Sequence, residues 1–462
     1  MKSLPLSLIS VFVLIVASAL HLNAKPNILV IMLDDAGYND FGFQGNAELE
    51  KLTPEIDRLA KSGMIFDNGY VSSAVCGPSR AGFLTGRYQQ SFGYGKNYPG
   101  YWGKEKPAIY SDDSSEGWRS LGLPQGVDTI GDVLQTEGYR TGIIGKWHMG
   151  FDRAFHLLER GFDYFYGFVS GARNFFPKPE YETTQEIPFN FNRIEYNDAF
   201  IPESELTYLT DDFSEKAVEF IQSRDGKPWF LFLSYNAPHT PLQATDSDIA
   251  HVKSILPGIS NRRATYLAMI YAVDRGVGEI SGALDDTNQA NETMIVFLSD
   301  NGGTAKGPSD NAPLRGSKFS AYEAGTRVPF FIRWPKVIAP GREEEAVIST
   351  LDLLPTFLTL AGGAPGIEID GADLSESLMG GFDDFVDRKL FWKELTREGE
   401  AAWMRSGNAK YIEATKLESS EMYDLNNDAG ESKEIGNTNP ELETLMKSHL
   451  DDWAQALPPR LW

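Results

Sequence analysis

The sequence predicts an α/β fold: a large mixed, mostly parallel sheet sandwiched by helices, followed by a smaller C-terminal antiparallel sheet plus helix. Three observations predict it. Short apolar runs alternate with amphipathic stretches along most of the 462 residues, the pattern of strands joined by crossover helices. The runs are nearly continuous rather than alternating, as strands covered on both faces require. Past Gly380 the texture changes to short strand-like segments such as Lys389-Leu390-Phe391-Trp392.

In chain order, residues 1–24 read as a secretory signal peptide. Met1-Lys2 gives a positive start, Leu4 to Val16 is apolar, and Ala17-Ser18-Ala19 or Leu22-Asn23-Ala24 offers small residues for cleavage. The apolar run is short for a membrane anchor. The expectation is therefore an exported protein, periplasmic or secreted, free of the membrane after cleavage. Asn27 to Leu33 is the first buried strand and ends at Asp34-Asp35. Cys76 sits at or just before a helix start, because Pro78 suits a first turn and Ala81 to Arg87 continues it. Residues 129–137 form an amphipathic helix stopped by Gly138. Thr141 to Ile144 is a strand that runs into Lys146-Trp147-His148. Residues 205–222 read as a helix. Trp229 to Leu233 is the next strand and leads to Ala237-Pro238-His239. Residues 263–284 are helical, and Met294 to Leu298 is a strand ending at Asp300-Asn301.

Residues 89–126 and 171–204 are long irregular regions. The second carries Asn174, Phe175, Phe176, Tyr181, Phe189, Phe191 and Tyr196. Such loops are commonly functional, and their aromatics suit either a carbohydrate platform or packing of the loop itself. Beyond Gly380, four short strands precede a helix over 440–456, started by Pro440 with Leu442, Leu445, Met446, Leu450 and Trp453 on one face. The expected organisation is signal peptide 1–24, catalytic domain 25–385 and C-terminal subdomain 386–462.

Charge and cysteine content narrow the function. The formal net charge is −23, which opposes nucleic-acid binding and gives no long-range attraction for an anionic substrate. A site for anions then needs its own local Lys, Arg and His. The lone Cys76 rules out an internal disulfide.

The polar residues with chemical potential share one position. Asp34, Asp35, Lys146, His148, His239, Asp300 and Asn301 all follow apolar runs. In open α/β sheets ligands bind outside the carboxyl ends of the strands, so four strand ends can gather these residues around one site. Three carboxylates and an amide oxygen are hard ligands suited to Ca²⁺ or Mg²⁺. Cys76 lies where helix N–H groups favour anionic species.

The run Cys76-Gly77-Pro78-Ser79-Arg80 through Arg87 resembles the signature of the formylglycine-dependent (type I) sulfatases of the alkaline phosphatase superfamily. So do Gly145-Lys146-Trp147-His148-Met149-Gly150, Ala237-Pro238-His239-Thr240-Pro241, Asp300-Asn301-Gly302-Gly303 and the segment Pro313 to Pro329. Departures are Gly77, Met149, Ser317 and Phe319, and none removes a reacting group. The resemblance implies that a maturation enzyme oxidises Cys76 to formylglycine, whose hydrate is the nucleophile. It implies one Ca²⁺ held by Asp34, Asp35, Asp300, Asn301 and the modified Cys76. It assigns His239, helped by Lys318, to protonating the departing sugar oxygen, and Asp300 and His148 to proton removal. Lys146 and Arg80 orient the nucleophile and stabilise charge. Lys146, His239, Lys318, Arg173 and Asn174 are the expected substrate contacts, with Arg153 and Arg193 as further anion binders. The extended run through Arg87-Tyr88-Gln89-Gln90-Ser91-Phe92-Gly93 looks like sulfatases of marine polysaccharides, which points to a sulfated galactan such as carrageenan. Fucan, ulvan or glycosaminoglycan sulfates are the near alternatives. A phosphodiesterase or phosphonate hydrolase of the superfamily and a non-catalytic carbohydrate binder are the other classes.

Overall fold

Five parallel strands form the centre of the protein, and their carboxyl ends build one edge. The structure, a computed structural model, describes residues 25–97, 122–150, 152–177, 193–364 and 366–461. The signal-peptide expectation and Tyr181, Phe189 and Phe191 lie outside the described residues. From edge to edge the ten-stranded sheet runs Arg342–Glu344, Met64–Phe66, Phe330–Arg333, Thr293–Ser299, Asn27–Leu33, Trp229–Ser234, Arg140–Lys146, Tyr164–Phe168, Glu195–Tyr196 and Ala199–Phe200. Pairing is parallel from Thr293–Ser299 through Tyr164–Phe168 and antiparallel where Phe330–Arg333 and Glu195–Tyr196 join. We label four of the central strands β1 (Asn27–Leu33), β2 (Arg140–Lys146), β3 (Trp229–Ser234) and β4 (Thr293–Ser299).

Strand β1 shows why the apolar runs are continuous. Leu29, Ile31 and Leu33 enter one core with the helices Leu209–Gln222 and Asn261–Asp286. Ile28, Val30 and Met32 enter a second core with the helices Cys76–Thr85, Ile130–Thr136 and Leu353–Leu360. Successive side chains point to opposite faces, so a strand covered on both sides is apolar at every position.

The helix expected over 205–222 begins four residues later. Glu203–Glu205 instead forms a 3-10 turn. Thr207 N donates to Asp212 Oδ2 at 3.0 Å, which caps the chain before it becomes helical.

The C-terminal strands Lys389–Thr396, Gly399–Ser406, Ala409–Ala414 and Glu421–Asp424 form an antiparallel sheet in sequence order. The helix Pro440–Gln455 covers one face through Met446 and Leu450. The other face meets the main body through the stacked pair Trp392–Trp403, with Trp392 Nε1 donating to Val71 O at 2.8 Å. This sheet also sends Glu394 to the segment before Cys76. Glu394 Oε1 accepts from Ala74 N at 2.8 Å, and Ser73 Oγ donates to its Oε2. No helix among the described residues is long and apolar enough to cross a membrane.

Candidate active site

Four strand ends meet at the helix that starts on Cys76. Asp34 follows β1, Asp300 follows β4, Lys146 ends β2, and His239 lies in the loop after β3. Asp34 N donates to Ala237 O at 3.0 Å and Asp300 N to Leu33 O at 2.9 Å, so backbone bonds fix the turns to one another. Asp35 has a left-handed φ of 66°, and its carboxylate meets Lys318, Asn301 and His239. Gly145 lets β2 approach β3 closely, since a Cβ there would lie 1.9 Å from Ser234 O.

Arg80 lies one helical turn after Cys76, on the same face. Its Nε donates to Asp300 Oδ2 at 2.9 Å and its Nη1 to Lys146 O at 3.4 Å and to Ser234 Oγ. One buried guanidinium thus ties together the ends of β2, β3 and β4. Lys146 Nζ donates to Asp34 Oδ2 at 2.6 Å, and Lys318 Nζ to Asp35 Oδ1 at 2.6 Å. Cys76 Sγ lies 2.9 Å from Lys318 Nζ and 3.6 Å from Asp34 Oδ1.

The histidines differ in setting. His239 Nε2 is 3.6 Å from Asp35 Oδ2, and its Nδ1 is 2.6 Å from Thr240 O. That carbonyl accepts only from a protonated Nδ1. His148 is buried and has φ 63°. Gly171 lies against its ring, where a Cβ would be 2.5 Å from Nε2. Burial, then Lys146 and Arg80, push the His148 pKa well below its usual range, so it is neutral near pH 7 and can take a proton.

Burial alone would raise both Asp34 and Asp35. Lys146, then His239, holds Asp34 below its ordinary value, while Lys318, then His239, does so for Asp35. Burial pushes the Cys76 thiol up to about 12, against the pull of Lys146 and Lys318.

A hard cation fits this set of side chains. Asp34, Asp35, Cys76 and His239 present ligand atoms within 4.8 Å of one another. Asp300 Oδ1 accepts from Asp35 N at 3.2 Å, and Asn301 Nδ2 donates to Asp35 Oδ1 at 2.7 Å. Among the described residues, Asn301 Oδ1 and Arg80 Nη2 are buried without a hydrogen-bond partner. An orphaned amide oxygen wants a cation or a donor, and an orphaned guanidinium N–H wants an anion. The three carboxylates Asp34, Asp35 and Asp300 each already meet one cation, Lys146, Lys318 and Arg80. A divalent cation would add two positive charges to that balance, and a bound anion would offset part of them.

Arg173 and Asn174 are not drawn into this cluster. Arg173 Nη2 donates to Glu203 Oε1 at 2.7 Å and Oε2 at 2.9 Å, and both side chains are buried. That pair fixes the Arg173 guanidinium against Glu203. Asn174 is half-buried, next to Phe175 in the loop core. Arg153 pairs on the surface with Glu159 and Asp198, and Arg193 stacks on Phe200 at 4.3 Å. Phe175 and Phe176 pack on Tyr208 at 6.0 and 5.0 Å, so these aromatics fill their own loop. Sequence reasoning missed Ser234, Asn236 and Gly171. Asn236 is buried beside His239, whose N donates to Asn236 O at 3.0 Å, and its amide atoms have no partner among the described residues. Its place after a buried strand was the available signal.

The known proteins that this chain resembles are sulfatases. A family profile described as Sulfatase matches residues 26–364, and one described as N-sulphoglucosamine sulphohydrolase, C-terminal, matches 317–456. The chain is 31% identical over 405 residues to N-acetylgalactosamine-6-sulfatase of Canis lupus familiaris, covering 82% of this chain and 71% of that one. It is 30% identical over 473 residues to arylsulfatase G of Homo sapiens, covering 94% and 82%. Among solved structures it is similar to Ps i-CgsB in complex with k-i-k-neocarrahexaose, at 35% identity and a TM-score of 0.85, covering 95% of each chain. A profile spanning the strand ends and relatives matched along most of their length make the chain a member of the sulfatase family, in the alkaline phosphatase-like superfamily, and a hydrolase of sulfate esters.

Proposed function

We propose that this sulfatase removes sulfate from a carrageenan or its oligosaccharides, using formylglycine made from Cys76 and one Ca²⁺. One observation carries the substrate: the 35% identity over 95% of both chains to a protein solved with a bound carrageenan hexasaccharide. Residues 1–24 are proposed to direct export, where such a polymer is met, and residues 386–462 to act as the C-terminal subdomain.

Asp34, Asp35, Asp300 and Asn301 would hold the Ca²⁺, which supplies Lewis-acid polarisation of sulfate oxygens. Formylglycine supplies an oxygen nucleophile with a second hydroxyl through which sulfate can leave. A thiol held near 12 is protonated at neutral pH, which suits Cys76 as a precursor better than as a thiolate.

The chain's own residues supply the rest. Lys146 and Lys318 stand over the two aspartates and face the incoming sulfate. Arg80 holds Asp300 in place and keeps one N–H for an anion. His239, with Nδ1–H on Thr240 O, carries its transferable proton on Nε2 and gives it to the departing sugar oxygen. Neutral His148 takes the proton that must leave when sulfate is released.

The test is free sulfate released from ι- and κ-carrageenan, fucan, ulvan and chondroitin sulfate oligosaccharides. Enzyme coexpressed with a formylglycine-generating enzyme is compared with Cys76→Ala. Release from carrageenans, absent in the variant, is expected, along with an aldehyde in the Cys76 peptide by mass spectrometry. Release from another class alone overturns the carrageenan assignment. Full activity with an unmodified cysteine overturns the nucleophile.

A further inference from the structure

A cavity of 420 Å³ adjoins the reacting cluster, with Val75, Lys96, Asn97, Phe319, Glu394 and Arg397 in its wall. Two of these residues are chain neighbours of the chemistry. Val75 precedes Cys76, and Phe319 follows Lys318. Lys318 Nζ is 5.6 Å from the Phe319 ring centroid and 2.9 Å from Cys76 Sγ.

Phe319 is in an unusual state. Its φ is 67°, a left-handed conformation that is strained for a bulky residue. Backbone bonds hold it there, Phe319 N donating to Ala74 O at 3.0 Å and Arg397 N to Phe319 O at 2.7 Å. The ring so fixed is 38% exposed. Packing does not account for an exposed ring kept in a strained backbone, whereas a stacking surface for a sugar does.

The charges in the wall favour an anion. Arg397 makes no ion pair among the described residues, and its Nε donates to Lys318 O at 3.2 Å, which places the guanidinium beside the site. Lys96 is exposed on the neighbouring wall. Glu394 is turned inward, taken up by Ser73 and Ala74, with burial pushing it up to about 7. In a chain of net charge −23 this pocket is a local exception, of the kind an anionic polymer needs where long-range attraction is missing.

We infer that this cavity is a subsite for a second sulfated sugar next to the one that loses its sulfate, with Phe319 under its pyranose face and Arg397 and Lys96 on its sulfate. The inference rests on the substrate being a sulfated saccharide of more than one unit. The C-terminal subdomain then takes part in substrate choice, since Arg397 lies in the turn between its first two strands.

Binding to Cys76→Ala protein tests this without turnover. The probes are an ι-carrageenan tetrasaccharide, with sulfate on every sugar, and the κ tetrasaccharide, with sulfate on alternate sugars. Arg397→Gln is expected to weaken the ι ligand about tenfold and the κ ligand about threefold or less. Arg397→Lys keeps the charge but loses the Nε bond to Lys318 O, and should stay within about threefold of the parent. Phe319→Asn tolerates the left-handed backbone and removes the ring, so both ligands should weaken by about fivefold. If Arg397→Gln binds the ι ligand as the parent does, the subsite is wrong, even where wild-type enzyme desulfates carrageenan. If only fucan, ulvan or chondroitin sulfate oligosaccharides bind, and Arg397→Gln weakens them, the subsite stands and the carrageenan assignment falls. No binding by any of these ligands overturns both.

Discussion

Arg80 Nε donates to Asp300 Oδ2 at 2.9 Å, and both side chains are fully buried. A buried pair broken on one side leaves an uncompensated charge, which costs about 3–5 kcal/mol. Arg80→Met and Asp300→Asn should each destabilise by that order in urea unfolding. The double variant should lose less than the sum, because both charges leave together. Strict additivity would mean the pair contributes no coupling.

Much of this site was legible because the fold writes it in one place. Apolar runs covered on both faces stop abruptly, and the next residues, Asp34, Lys146 and Asp300, can be polar only because they leave the sheet at its carboxyl edge. The partner of Arg173 was hidden for the opposite reason. Glu203 is thirty residues away, and only the folded loop brings the two together in a buried pair. Gly171 was silent because its role is a contact with the His148 ring, and a glycine carries no mark of what approaches it. Ser234 looked like the last residue of a strand, although its hydroxyl donates to Lys146 O at 2.7 Å and accepts from Arg80. The helix before β3 was read too early because acidic and polar residues at 203–208 serve a 3-10 turn and a cap as well as a helix.

Removing the metal should lower both activity and stability. If Ca²⁺ binds the native cluster of Asp34, Asp35, Asp300 and Asn301, saturation at a hundredfold over Kd stabilises by about 2.7 kcal/mol. Chelation should therefore lower Tm, and added Ca²⁺ should restore it. Asn301→Ala should shift the restoring Ca²⁺ concentration upward. An identical Tm with and without chelator would remove Ca²⁺ from the assignment.

The two histidines should separate by leaving group. His239→Gln removes the proton donor, so sulfate release from an oligosaccharide should fall by about 10²–10⁴-fold. A nitrophenyl sulfate, whose phenolate leaves without protonation, should be affected far less. His148→Gln should slow both substrates alike, because its proton transfer follows loss of the alcohol. The assignment of His239 fails if its variant slows both substrates equally.

Asp274 makes a stability switch away from the chemistry. It lies on the helix Asn261–Asp286, is buried, and accepts at Oδ1 from Glu55 N at 2.9 Å and Ile56 N at 2.8 Å. It thus caps the helix Pro54–Lys61, whose own Thr53 gives no side-chain cap. Burial raises its pKa to about 7 from 3.8, more than the two backbone bonds lower it. The folded protein therefore holds a proton between about pH 4 and 7 that the unfolded chain gives up. Stability from this group is complete below pH 4 and is lost as pH rises through 7, by at most about 4 kcal/mol. Asp274→Asn can accept the same two bonds and has no proton to lose. Its stability should fall less than that of the parent between pH 4 and 8, so that the two unfolding curves diverge as pH rises. Glu394 and Glu431, raised to about 7, act in the same direction in both proteins and cancel in the difference. Parallel curves of Tm against pH would show that Asp274 is already ionised in the native state, with the two N–H bonds of the helix end holding its charge.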